Sequence, residues 1–188
     1  MFENLGPMYI IGQSLSFVAV FIGFISYQMK SSSSILAMEV VSALVFASHY
    51  LLIGAPTAMA LNLLAALQCF VYYLRAKRGG KSIIVPIIFT CLVITTSILT
   101  WNGWYSVFIM AGLAVHSFFM ASSNPQTIRY AIFFKAPACL TYNIIVFSLG
   151  GILYECSVFI SSIISTIKYY RKKRRYSLAQ TEAKNVKV

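Results

Sequence analysis

Among the polar side chains that stand inside long apolar runs of this sequence are Glu39, His49, Asn62, His116, Lys135, Asn143 and Glu155. An ionisable group at the centre of a membrane helix costs about 2.5–3.5 kcal/mol on the insertion scale, so such groups face a bundle interior or a water-filled path. Amide and imidazole groups donate as well as accept hydrogen bonds, which suits a hydroxylated or heterocyclic solute. On that chemistry His49, Asn62, His116, Asn143 and Glu155 are candidates for a solute cavity. The plain alternative is that each is a polar contact between helices, worth about 0.6–2 kcal/mol. Glu39 and Lys135 fall on equivalent runs in the two halves of the chain and are candidates for a paired inner gate. Against that pairing, Glu39 also suits the positive N-terminal end of a helix, and Lys135 can extend its ammonium to the nearer surface. His116, roughly 18 Å into its run at ~1.5 Å per residue, is near mid-depth. It is a candidate proton-relay group because imidazole titrates near neutrality.

The elements that must carry these groups follow from composition. The chain has 188 residues, of which 59% are hydrophobic and 10% charged. Soluble domains are about 45–50% apolar and about 25% charged, so a globular cytosolic enzyme, a disordered chain and a secreted disulfide scaffold are all excluded. Seven apolar stretches, residues 8–29, 35–53, 58–74, 83–100, 104–121, 128–148 and 152–170, are separated by short clusters of Ser, Gly, Pro and Asn. A bilayer crossing takes about 20 such residues, and lipid leaves the backbone no partners, so each stretch is expected to be a helix. The expected class is all-α transmembrane, a single seven-helix domain over residues 1–175. Residues 176–188 are expected to form a disordered cytoplasmic tail.

Charge gives the orientation. Lys30, Arg75, Lys77, Arg78, Lys81, Arg129, Lys168 and the run Arg171, Lys172, Lys173, Arg174, Arg175 all fall on one side of such a seven-span chain. The positive-inside bias then puts the N-terminus outside and the C-terminus in the cytoplasm. Trp101 and Trp104 are expected at the outer interface, and Tyr72, Tyr73, Tyr169 and Tyr170 at the inner one. The Arg171–Arg175 run is expected to lie on anionic lipid headgroups, at about 1 kcal/mol per cation, and not on nucleic acid. The four cysteines have no metal-ligand spacing, so no metal or cofactor is expected. With Glu39 and Glu155 assigned to opposite halves of the bilayer, no catalytic dyad is expected either.

An internal duplication organises the spans. The third run ends Tyr72-Tyr73-Leu74-Arg75 and the seventh Tyr169-Tyr170-Arg171-Lys172; Gly54 and Gly150-Gly151 precede them. This divides the chain into a first repeat of about 8–78, a linker helix of about 83–100 and a second, parallel repeat of about 104–175. That three-plus-one-plus-three plan resembles the SWEET and PQ-loop carriers, which are built from parallel repeats. Sugar carriers of that kind share prolines on the first two helices of each triplet; here only Pro137 occupies such a place. More closely, His49-Tyr50-Leu51-Leu52-Ile53-Gly54, Leu74-Arg75, Asn143, Gly150-Gly151, Glu155-Cys156-Ser157 and Lys168 resemble the YgjV-type family of bacterial inner-membrane proteins. The resemblance implies an inner-membrane location. The expected function is a carrier or facilitator of a small polar solute that works by rocking of two triple-helix bundles. A non-transporting scaffold or accessory subunit is the other reading, and a homo-oligomer is compatible with either. Two further stripes, Gly12, Ser16, Ala19, Gly23, Ser26 and Ser157, Ser161, Ser165, are expected to be packing faces.

Overall fold

The computed structural model describes residues 7–52, 56–79, 82–101, 103–145 and 148–185. Within them the chain forms seven α-helices and no strand: α1 (Pro7–Ser26), α2 (Ser32–Leu52), α3 (Pro56–Arg78), α4 (Ile84–Leu99), α5 (Ser106–Met120), α6 (Pro125–Ile145) and α7 (Leu149–Asn185). Gly54 of the duplicated glycine turns and Lys81 of the basic set lie outside the described residues. Gly79, at φ 70°, follows α3 directly. This left-handed position is open to glycine at no steric cost and is a common way for a helix to end.

Among the described residues four helices are long and apolar enough to cross a membrane: α1, α2, the stretch Ala58–Arg78 of α3 and the stretch Leu149–Leu178 of α7. Ile84–Leu99 and Ser106–Met120 are shorter apolar helices. α6 has 21 residues, with Gln126, Arg129, Lys135 and Asn143 all buried along it. The 37 residues of α7 run through Tyr176 to Asn185, into the segment expected as a cytoplasmic tail. The sequence Ala-Gln-Thr-Glu-Ala-Lys lacks Gly and Pro and is rich in helix formers, and propagation from an existing helix avoids the cost of nucleation. At about 1.5 Å per residue this helix is nearly twice the hydrocarbon thickness, and its exposed Arg171–Arg175 run lies in the projecting part.

The helices pack mainly with their chain neighbours, and α7 returns to α1 to close a ring. α2 contacts both α1 and α3, α6 contacts both α5 and α7, and α4 lies chiefly on α5 and lightly on α3. Polarity is inverted relative to a soluble protein. Phe21 is 66% exposed and Glu39 only 7%, which fits lipid outside and a polar interior.

The small-residue face of α1 is the seam of this ring. Its buried residues are Gly12, Ser16, Ala19, Gly23 and Ser26, the stripe read from the sequence. Small side chains let backbones approach, and that closeness lets polar groups reach across. Ser42 Oγ donates to the Ala19 carbonyl from α2 at 3.4 Å, and Ser161 Oγ donates to the Phe24 carbonyl from α7 at 2.5 Å. Gly150 permits the same approach: a Cβ there would stand 2.7 Å from the Ser16 side chain.

Alternating helix direction gives the bundle two ends. One, the amino end, gathers the starts of α1, α3, α5 and α7. The other, the basic end, gathers Lys30, Arg75, Lys77, Arg78, Arg129 and the Arg171–Arg175 run. The packed apolar core lies toward the basic end, where Tyr27, Ile35, Leu36, Tyr72, Met120, Ile128 and Ile132 are all buried together. Tyr72 was expected at the interface, but it is 2% exposed. Its hydroxyl donates to the Ser117 carbonyl at 3.2 Å and its ring meets Phe89 edge-on. A buried tyrosine with its hydroxyl satisfied behaves as core.

Candidate functional site

A cavity of about 410 Å³ runs from the middle of the bundle toward the amino end, and all seven helices contribute to its wall. α1 gives Tyr9 and Gln13 near its start, and α3 gives Asn62 and Gln68. α5 gives His116, and α6 gives Lys135 and Asn143. Of the five cavity candidates, Asn62, His116, Asn143 and Glu155 line it, and the two gate candidates Glu39 and Lys135 line it as well.

His49 does not. It is fully buried, and its Nδ1 stands 2.6 Å from the Gly12 carbonyl, to which it must donate. It fastens α2 to α1, the interhelical reading of that residue. Asn62 lines the cavity while its amide nitrogen donates to the Ala58 carbonyl one turn earlier, at 2.8 Å. His116 Nε2 lies 3.3 Å from the Tyr27 hydroxyl.

The charged groups are arranged differently from the expected gate. Lys135 Nζ pairs with Glu155 Oε1 at 2.8 Å, not with Glu39. The helix starts explain this. α6 begins at Pro125 and α7 at Leu149, each three residues before the sequence estimate. Lys135 is therefore ten residues along α6 and Glu155 six along α7, so both are drawn toward mid-bundle instead of lying in opposite halves. Glu39 and Glu155, assigned to separate halves, both border this one cavity.

Glu39 has a hydroxyl cradle. Ser26 Oγ donates to its Oε1 at 2.5 Å, and Tyr154 Oη donates to Oε2 at 3.1 Å. The Tyr154 ring also underlies Lys135 Nζ, 4.9 Å from its centroid, within cation–π range. Ser26, Glu39, Tyr154, Lys135 and Glu155 thus form one polar column across α1, α2, α7 and α6. The sequence reading missed Ser26 and Tyr154 as its members. Gly23 held the available signal: a Cβ there would collide with the Tyr154 ring, so the glycine makes the space through which that tyrosine reaches Glu39.

Below the column the two halves are tied together. Arg129 is 5% exposed, and its Nε donates to the Tyr27 carbonyl at 3.0 Å. Its Nη2 donates to the Met29 carbonyl at 2.5 Å. These carbonyls belong to the turn after α1, so one guanidinium from α6 caps the backbone of the other half. Gln68 Nε2 likewise donates to Ser117 Oγ and to the Ser117 carbonyl, at 2.6 and 3.0 Å. Pro137 is the one proline inside α6; Thr141 Oγ1 donates to its carbonyl at 3.0 Å. No group of three or more His, Cys, Asp or Glu suited to a metal ion occurs among the described residues.

An all-helical chain with lipid-suited outer faces, apolar helices of spanning length and a buried charged column is an integral membrane protein. The model of the Imp-YgjV family, described as bacterial inner membrane protein, matches residues 10–173, and the chain belongs to that family. No curated protein and no solved structure matches the chain.

Proposed function

We propose that this inner-membrane protein is a non-enzymatic carrier or facilitator of a small polar solute, with the central cavity as its binding site. The observation that carries the reading is the cavity itself: about 410 Å³ bounded by all seven helices, with amides, an imidazole and charged groups on its wall. Binding sites for small molecules are commonly concave spaces of roughly 300–1,000 Å³ with a few placed polar groups. A scaffold needs no such space, and a chain optimised only for packing would fill it.

In this reading the seven helices all cross the bilayer, with the N-terminus outside and the basic end in the cytoplasm, following the positive-inside bias. The cavity then faces outward and the apolar plug closes the inner side. The residues α1–α3 and α5–α7 act as two triple-helix bundles joined by α4, and rocking of one against the other exchanges which end is closed. Two features support that division: the middle helix of each triplet packs on both its neighbours, and Arg129 ties one triplet to the other at the closed end. Asn62 and Asn143 supply amides toward the solute.

The test is a thermal-shift screen of small hydroxylated and heterocyclic solutes on purified protein, followed by counterflow of each hit in proteoliposomes. A ligand held at about 100 times its Kd stabilises the folded state by about 2.7 kcal/mol. The reading expects a hit whose shift is lost in Asn143→Leu and which exchanges across the liposome membrane. A hit that binds at the cavity yet never crosses would contradict transport.

A further inference from the structure

We propose that Glu39 is a proton-binding site that gains and loses a proton as the cavity changes its occupancy, so that solute movement is coupled to protons. The coupling role rests on the carrier reading; the proton site rests on geometry. Three charged side chains border the cavity among the described residues, Glu39, Glu155 and Lys135. The single ammonium is committed to Glu155, 2.8 Å away, so one carboxylate has no cation of its own. Burying an unpaired charge costs several kcal/mol even after relaxation, and a proton is the smallest species that removes the cost.

The partners of Glu39 suit both of its states. As a carboxylate it accepts from Ser26 Oγ at 2.5 Å and from Tyr154 Oη at 3.1 Å. As an acid it has one hydroxyl to donate and one oxygen still accepting. Ser26 can reverse its role because a hydroxyl both donates and accepts, while Tyr154 keeps donating to the other oxygen. Both of the Glu39 side-chain contacts therefore persist in either state. Glu155 is held differently: its Oε1 takes the Lys135 ammonium, which can only donate, and its Oε2 is buried without a hydroxyl partner of the kind Glu39 has on both oxygens.

The charged and titratable groups facing Glu39 come from four neighbouring helices: Tyr27 of α1, Cys69 of α3, Lys135 of α6, and Tyr154 with Glu155 of α7. Lys135 is the one cation among them. Gaining a proton on Glu39 takes the three cavity charges from a net −1 to 0. A neutral cavity is the cheaper one to close away from water, which links proton uptake to the step that changes access. The proton arrives from the aqueous end of the cavity and returns to water at the opposite end, with no bond broken other than to that proton.

Infrared difference spectroscopy on the full chain in lipid tests the site without any solute. The chain has only four acidic side chains, so a protonated carboxylic-acid carbonyl band is readily assigned. The inference expects a band that appears as pH falls, shifts in D₂O, is lost in Glu39→Gln, and changes frequency but still titrates in Ser26→Ala. Should Glu39→Gln fail to fold, Glu39→Asp is expected to keep a titrating band at a displaced frequency. A band unchanged in Glu39→Gln, one unmoved by Glu39→Asp, or no titrating band in the wild type would overturn the proton site. Failure of the carrier reading shows elsewhere, as bound solute that does not cross while the Glu39 band remains.

Discussion

The two ends of this bundle solve the same problem in opposite ways. Toward the basic end the helices meet through large apolar side chains: Ile35, Leu36, Met120, Ile128 and Ile132 are fully buried there, and Arg129 and Tyr72 enter by donating to backbone carbonyls. Toward the amino end the same helices stand apart around a cavity bordered by Gln13, Asn62, Asn143 and Tyr50. Close packing is the default of a protein interior, so the open end is the one that requires an explanation. The small-residue face of α1 supplies part of it. By bringing α2 and α7 near one another at Gly23 and Ser26, it places Glu39 and Tyr154 in one column at the boundary between the two regions.

Predictions can be ranked by how strongly they disturb that boundary. Lys135→Met has the largest expected effect, a loss of about 3–5 kcal/mol, because Glu155 is left as an uncompensated buried charge. The double variant Lys135→Met, Glu155→Met is expected to recover most of the loss, and chemical unfolding in lipid–detergent micelles measures both. Equal destabilisation by the single and double variants would mean that the pair carries no special coupling.

Arg129→Met comes next. Hydrogen bonds made by charged groups contribute about 1.5–3 kcal/mol each, and the guanidinium makes two to the turn after α1. The variant is expected to loosen the basic end selectively, seen as faster amide exchange at Tyr27 to Met29 with little change around Asn143. Uniform acceleration over both ends would argue against a local tie.

Gln68→Leu is expected to cost about 0.6–1.7 kcal/mol, the range for a polar contact between membrane helices, by removing the link from α3 to Ser117. Smallest of all is replacement of Arg171, Lys172, Lys173, Arg174 and Arg175 by Gln. It is expected to leave unfolding within about 0.5 kcal/mol, as for exposed positions generally, while weakening attachment of the C-terminal helix to anionic vesicles by about 1 kcal/mol per cation.

Much of the architecture was legible in the residues because lipid imposes strict rules. Seven apolar runs became seven helices, and the Gly12-to-Ser26 stripe became a buried face, since a 3.6-residue repeat of small side chains has few other uses. The site was legible by type but not by partner. Composition singled out Glu39, Lys135 and Glu155, yet their pairing depended on helix starts displaced by three residues, and a sequence marks such ends poorly when Pro125 and Leu149 merge into polar and glycine turns. His49 was misassigned to the cavity because nothing local distinguishes an imidazole that faces a cavity from one that donates to the Gly12 carbonyl on a neighbouring helix. Tyr72 was placed at an interface on the strength of its type, although its partner Ser117 is 45 residues away in the chain.

The contrast between a wet end and a sealed end is tested most directly by thiol access. In a background with Cys69, Cys91, Cys139 and Cys156 replaced by Ala, single cysteines at Asn62 and at Ile132 are exposed to a membrane-impermeant methanethiosulfonate reagent, applied to right-side-out and then to inverted vesicles. The account predicts rapid modification of Asn62→Cys from the amino side only, and none of Ile132→Cys from either side. An unreactive Asn62→Cys, or an Ile132→Cys that reacts readily from the basic side, would contradict it.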